Sequence, residues 1–89
     1  MKKISLYSSK YCSDCAAMKE FLLENMVNYD NMDITEDLLS LKMFLKLRDN
    51  NPAFEEIKKN GGIGIPCLVI NEGEKLFFDH ENLNLDELK

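Results

Sequence analysis

Eighty-nine residues suffice for one compact domain and not for two, since a second core needs roughly 50 residues of its own. The chain is 45% hydrophobic and 30% charged, with four glycines and two prolines, which excludes a disordered tail or a fibrous repeat and predicts a single domain over residues 1–89. Sixteen acids against eleven bases give a net charge of −5, and residues 72–89 alone carry six acids against two bases, so binding to a phosphate backbone is disfavoured and no nucleic-acid partner is expected.

Apolar runs fall far short of the ~18 residues that cross a bilayer, and Met1 to Tyr7 lacks the apolar stretch and cleavage site of a secretory leader. A cytoplasmic protein without membrane contact is expected. There, three cysteines are no disulfide framework, because the compartment keeps thiols reduced and the count is odd. Metal binding, redox chemistry and inert burial remain.

In chain order, Lys3 to Tyr7 alternates polar and apolar residues and predicts a first strand, ended by Ser8-Ser9-Lys10. The segment from Ser13 to about Asn25 has no proline or glycine, and Met18, Phe21 and Leu22 recur at helical spacing, so a helix begins at Cys12–Cys15. Tyr29 to Ile34 predicts a second strand, which completes one βαβ unit. Thr35 is expected to cap a helix running to about Asp49, with Leu38, Leu41, Phe44, Leu45 and Arg48 at three- and four-residue steps. The leucine stripe reads as core or as a partner face. Pro52 starts a second short helix that closes at Gly61-Gly62. Cys67 to Asn71 and Lys75 to Phe78, joined by Glu72-Gly73-Glu74, read as an antiparallel hairpin, and Leu83, Leu85 and Leu88 as a last short helix.

The chemistry concentrates at Cys12-Ser13-Asp14-Cys15. Two thiols at this spacing, where a strand runs into a helix, can close a small disulfide ring without unfolding the chain. Cys12 falls at the helix N-cap, where unpaired backbone N–H groups and the helix dipole favour a thiolate. It is the expected nucleophile. Cys15, one turn in, is placed to attack a mixed disulfide formed at Cys12, and so resolves it. A zinc site is the competing reading, with Cys67 and His80 completing a three-cysteine, one-histidine set. It rests on ligand count alone, because the spacings match no standard finger.

The second signal is Gly61-Gly62-Ile63-Gly64-Ile65-Pro66 ahead of the apolar run from Cys67 to Ile70. Proline cannot donate to a sheet ladder, so Pro66 at the mouth of a strand marks a turn or a cis bond. Paired with the upstream dithiol, it predicts a cis-Pro66 that faces the cysteines and leaves the Ile65 backbone open to a substrate chain.

With Lys10-Tyr11-Cys12-Ser13-Asp14-Cys15, Asp33-Ile34-Thr35 and Ile65-Pro66 before Leu68-Val69-Ile70-Asn71, the sequence resembles the glutaredoxin branch of the thioredoxin superfamily from Lys2 to about Phe78. The resemblance implies an α/β, thioredoxin-like fold: a four-stranded mixed sheet, parallel βαβ followed by an antiparallel hairpin, flanked by helices, with a cis bond before Pro66. It further implies that Lys10 binds the glycine carboxylate of glutathione and that the Ile65 backbone pairs with the tripeptide's cysteine. Three features depart from the family's usual pattern. Ser13-Asp14 replaces Pro-Tyr between the cysteines. Phe77 to Asn82 replaces the Gly-Gly and the small residue with aspartate that hold the γ-glutamyl end. The stretch from Asp33 to Pro66 is roughly a dozen residues longer than usual.

The expected function is therefore a thiol–disulfide oxidoreductase that reduces protein or glutathione mixed disulfides through Cys12 and Cys15. No resident cofactor is expected. Glutathione serves as reductant or substrate, or a thioredoxin-reductase-type donor resets the pair, and the chain acts as a monomer. The alternative is a metal or iron–sulfur cluster module using the same cysteines. Tyr11 is expected to shield a mixed disulfide, and Lys10 and Asp14 to tune the pair, Lys10 by favouring a thiolate at Cys12 and Asp14 by opposing it. Cys67 reads as a small buried hydrophobe and His80 as a surface residue.

Overall fold

The computed structural model describes residues 2–88, and it contains the four-stranded mixed sheet in the order β2-β1-β3-β4. Strand β1 (Ile4–Ser8) leads into α1 (Ser13–Glu24) and returns as β2 (Asp30–Asp33), which pairs with β1 in parallel. After α2 (Leu38–Asn50), a 3-10 turn (Pro52–Phe54) and α3 (Glu55–Lys59), β3 (Cys67–Ile70) pairs antiparallel with β1, and β4 (Lys75–Phe77) pairs antiparallel with β3. A 3-10 helix, Leu85–Leu88, ends the described chain. The peptide bond between Ile65 and Pro66 is cis. No helix among the described residues is long and apolar enough to cross a membrane.

The period of two in β1 and β3 splits the core between the faces of the sheet. Ile4, Leu6, Leu68 and Ile70 pack with Met18 and Leu22 of α1 and with Leu88. Tyr7, Cys67 and Val69 point the other way and pack with Ile34, Phe44 and Phe54.

Two expectations along the middle of the chain are corrected. The cap of α2 is Asp37, whose Oδ2 accepts from the Ser40 N–H at 3.2 Å and from Ser40 Oγ at 2.6 Å. The Thr35 hydroxyl donates instead to Asp33 Oδ1, which also accepts the Thr35 N–H at 2.8 Å. The buried stripe of α2 also keeps only part of the expected set. Ser40 and Phe44 are buried and Leu41 and Leu47 half-buried, whereas Leu38 and Leu45 are 79% and 42% exposed. The Phe44 ring decides the rotation of the helix, because it meets Tyr7 at 5.4 Å and Phe54 at 5.8 Å between centroids, and an aromatic pair buries more area than a leucine in that place.

The additional residues between Asp33 and Pro66 are used to build a brace. Pro52 opens a turn that buries Phe54, and Phe54 packs edge-on against Phe78 with centroids 5.1 Å apart. Gly64 runs across the same ring at φ +104°, where a Cβ would stand 2.7 Å from Phe54 Cε1. Only glycine fits there.

Candidate active site

The loop from β1 to α1 is held from β2. Ser8 Oγ donates to Asn31 Oδ1 at 2.7 Å, and the Ser9 and Thr35 hydroxyls lie 3.2 Å apart. The Lys10 N–H donates to Asp33 Oδ2 at 3.1 Å, while Asp33 Oδ1 also accepts from the N–H groups of Thr35 and Glu36. The Thr35 hydroxyl, opposed by partial desolvation and helped by the backbone donors, holds the Asp33 carboxyl below its ordinary range. These bonds fix Ser8, Ser9 and Lys10 on the way to Cys12.

Cys12 is the N-cap of α1 in extended conformation, and its Sγ accepts the Cys15 N–H at 3.2 Å. This sulfur thus occupies the place that a serine or aspartate oxygen takes at ordinary helix starts. Cys12 is half-buried, whereas Cys15 is fully buried, and both thiols are free. Burial first, then the hydrogen bond to Cys12, pushes the Cys15 thiol up to about 12, against an opposing hydrogen bond from the Ser9 backbone. The arrangement offers one reachable sulfur at a helix mouth and a protonated one directly behind it.

The remaining sequence-predicted residues are distributed around this pair. Asp14 is exposed in the first turn of α1. The Lys10 ammonium pairs with the Glu36 carboxylate and stands 5.2 Å from the centroid of the Tyr11 ring, which is 79% exposed. The hydrogen bond and charge of Glu36, with a smaller part from Tyr11, raise the Lys10 pKa. Register places Cys67 opposite Tyr7, at the end of β1 from which the dithiol loop departs. Pro66, buried, and Ile65, half-buried, therefore lie at the same end of the sheet as Cys12.

Cys67 is buried in the cluster under α2, and burial pushes its thiol up to about 12. The His80 ring packs on Phe21, an α1 residue beside the other cluster, at 5.6 Å. The four ligands of the zinc reading are thus spread over two faces of the sheet, and no group of three His, Cys, Asp or Glu among the described residues is disposed to hold a metal. In the segment from Phe77 to Asn82, Phe78 faces Phe54, and Asp79 is spent on Asn82, accepting from its N–H at 2.8 Å and its Nδ2 at 3.0 Å.

Sequence reasoning missed Arg48 as part of this end of the molecule. Its Nε donates to the Ile63 carbonyl at 2.8 Å and its Nη2 to the Gly62 carbonyl at 2.7 Å. The signal was present: a cation at helical spacing with the leucines, in a chain whose glycine-rich loop leaves carbonyls in need of donors.

Comparison with known proteins bears on the same residues. The glutaredoxin family model matches residues 4–74. A Haemophilus influenzae protein described only as uncharacterized is 35% identical over 89 residues, covering 100% of this chain and 96% of the relative. Among solved structures, the thioredoxin-like protein BC3987 superposes with a TM-score of 0.63 at 22% identity, covering 98% of this chain and 100% of that one. A variant of the same protein gives 0.62 at 24% identity, with 97% of each chain covered. The solved structures share the thioredoxin-like fold; the match over residues 4–74, which takes in both the dithiol and cis-Pro66, places this chain in the glutaredoxin family.

Proposed function

We propose that the chain is a dithiol–disulfide oxidoreductase in which Cys12 is the nucleophile and Cys15 the resolving thiol. The observation that carries this reading is the contact between them: Cys12 Sγ, half-buried at the helix start, accepts the N–H of a fully buried Cys15. A thiolate at that position meets a partial positive charge and remains within reach of a partner's sulfur.

In the first step the Cys12 thiolate attacks one sulfur of a substrate disulfide. A new S–S bond forms, the substrate bond breaks, and the released thiolate takes a proton from water. Cys15 then loses its proton and attacks Cys12. The mixed disulfide breaks, the Cys12–Cys15 disulfide forms, and the second substrate sulfur leaves as a thiol. Two electrons have passed from the dithiol to the substrate. The high pKa of Cys15 keeps it protonated while Cys12 acts first. Part of that elevation, the hydrogen bond to Cys12 and the charge of Cys12, disappears once Cys12 is engaged in a disulfide, which eases deprotonation at the step that needs it.

A glutathione-type thiol or a thioredoxin-reductase-type donor then reduces the pair. The test is reduction of insulin and of a glutathionylated peptide, with glutathione and its reductase in one arm and a thioredoxin-reductase system in the other. Turnover in either arm, abolished by Cys12→Ser, supports the proposal; an iron- or zinc-loaded protein without turnover in both arms would overturn it.

A further inference from the structure

The face of β1 that α2 covers is filled unevenly. Period two turns Lys3, Ser5 and Tyr7 toward that helix, and Ser5 carries the smallest side chain of the three. Phe44 is the last buried residue of α2; past it Leu47 is half-buried, and Lys46 and Asn50 are exposed. A cavity of about 530 Å³ is left between the second half of the helix and the sheet, within the range of small-molecule sites. It reaches the start of β1, whereas the dithiol loop leaves from the end of that strand.

The lining has three chemical parts. Met43, Leu47 and Val69 supply an apolar wall. Lys3 and Lys46 supply two ammonium groups, and neither has an acidic partner among the described residues, where the ion pairs are Lys10 with Glu36 and Lys75 with Glu87. Glu72 lines the same cavity and offsets one of them, so one positive charge remains in a chain of net charge −5. Tyr7 supplies the third part. It is only 6% exposed, and its hydroxyl has no hydrogen-bond partner among the described residues. No side-chain oxygen or nitrogen sealed from solvent goes unpartnered among those residues, so this hydroxyl opens into the cavity that its residue lines. Burial first, then the charge of Cys67, raises its pKa, which keeps it a hydrogen-bond donor at neutral pH. A buried donor without an acceptor calls for one from outside the chain.

We propose that this cavity is a second ligand site, separate from the dithiol, for a small planar carboxylate. Its ring system lies against Met43, Leu47 and Val69, its carboxylate meets Lys3 and Lys46, and an oxygen at its other end accepts from the Tyr7 hydroxyl. A planar body fits a slot between a helix and a sheet, and a single negative charge matches the one that the lining leaves unbalanced. The site goes beyond the redox reading and does not depend on it.

The probe is a hydroxynaphthoate whose carboxylate and hydroxyl lie at opposite ends of the ring system, titrated by NMR into the full reduced chain beside its uncharged carboxamide. The acid is expected to shift the amides of Lys3, Tyr7, Leu47 and Val69 and to bind about tenfold more tightly than the carboxamide, as a charge-assisted contact would give. Tyr7→Phe keeps the ring against Phe44 and should weaken the acid about fivefold through the lost hydrogen bond. Lys3→Gln and Lys46→Gln, both at exposed positions, should each weaken it about threefold. Glu72→Gln removes only the opposing charge and should tighten it about twofold, so the account does not rest on losses alone. Equal binding of acid and carboxamide, or acid binding that Tyr7→Phe leaves unchanged, would overturn the inference. So would shifts confined to the exposed apolar residues Leu38, Leu39 and Met26, which would mean adhesion to the surface instead of entry into the cavity.

Discussion

Phe54 and Gly64 are in contact so close that the ring fills the space of a side chain: a Cβ at position 64 would lie 2.7 Å from Phe54 Cε1 and 3.0 Å from Cδ1. Phe54 is fully buried between Phe44 and Phe78, so it has no room to withdraw. Gly64→Ala therefore combines a left-handed φ of +104° with overpacking, and is expected to destabilise the protein by about 2–4 kcal/mol. Urea unfolding, compared with Gly61→Ala, checks this. Gly61 also has positive φ but open space around its Cβ position, so it should cost only about 1 kcal/mol.

The two cysteines of the helix start should separate under alkylation. Cys12, half-buried at the cap, is expected to react with iodoacetamide at neutral pH, while Cys15 and Cys67, both pushed up to about 12 and fully buried, stay unmodified in the folded protein. Cys12→Ser should abolish disulfide reduction, and Cys15→Ser should accumulate a mixed disulfide with substrate, seen as an added mass that dithiothreitol removes. Trapping on Cys15 in the Cys12→Ser protein instead would reverse the two roles.

The buried thiols also set a pH dependence. Cys67 has a folded pKa of about 12 against an ordinary 9.0, so between these values the unfolded chain has lost a proton that the folded chain retains. The stability it contributes is fully present below about pH 9 and is lost as pH rises toward about 12, with a slope of about 1.4 kcal/mol per pH unit. Cys15 acts in the same direction. Cys67→Ala is expected to lower stability at neutral pH by leaving a cavity, yet to decline less steeply above pH 9. Unfolding curves taken across that range on the reduced protein read the difference in slope.

Glu36 sits on the one lysine that the family resemblance assigns to a glutathione carboxylate. Glu36→Gln should free Lys10 and increase glutathione-coupled turnover about two- to fivefold, the size expected for an exposed ion pair. The gain should shrink at high salt. The parent protein is expected to turn over glutathione substrates poorly, because Phe78 faces Phe54 and Asp79 is bonded to Asn82. Efficient glutathione turnover by the parent, unaffected by Glu36→Gln, would contradict this account.

Asp14 stands in the first turn of α1 between the two cysteines. Removal of its negative charge is expected to favour the reduced pair. Asp14→Asn is expected to raise the reduction potential, by up to about 30 mV for a tenfold change in the exchange equilibrium. Equilibration of both proteins against a glutathione redox buffer measures it, and an unchanged potential would leave Asp14 only a helix-stabilising role.

Much of this site was legible in the sequence because its signals are local. Alternation in β1 and the apolar run of β3 define which side chains face which layer, and the spacing from Cys12 to Cys15 places one sulfur at a helix cap and the next behind it whatever surrounds them. Pro66 at the mouth of β3 marked the cis bond in the same way. The middle of the chain was decided otherwise. Thr35 and Asp37 are both competent caps, and Asp37 caps Ser40 while the Thr35 hydroxyl is engaged by Asp33 and Ser9. Leu38, Leu41 and Leu45 repeat at helical steps as well as any core stripe, yet the ring of Phe44, meeting Tyr7 and Phe54 from distant parts of the chain, turned the helix and left Leu38 and Leu45 in solvent. Arg48 acquired its partners 14 and 15 residues away. Local pattern fixes what a segment can form, whereas competition among several competent groups for one partner is settled only when long-range contacts bring those groups together, and no periodicity records that outcome.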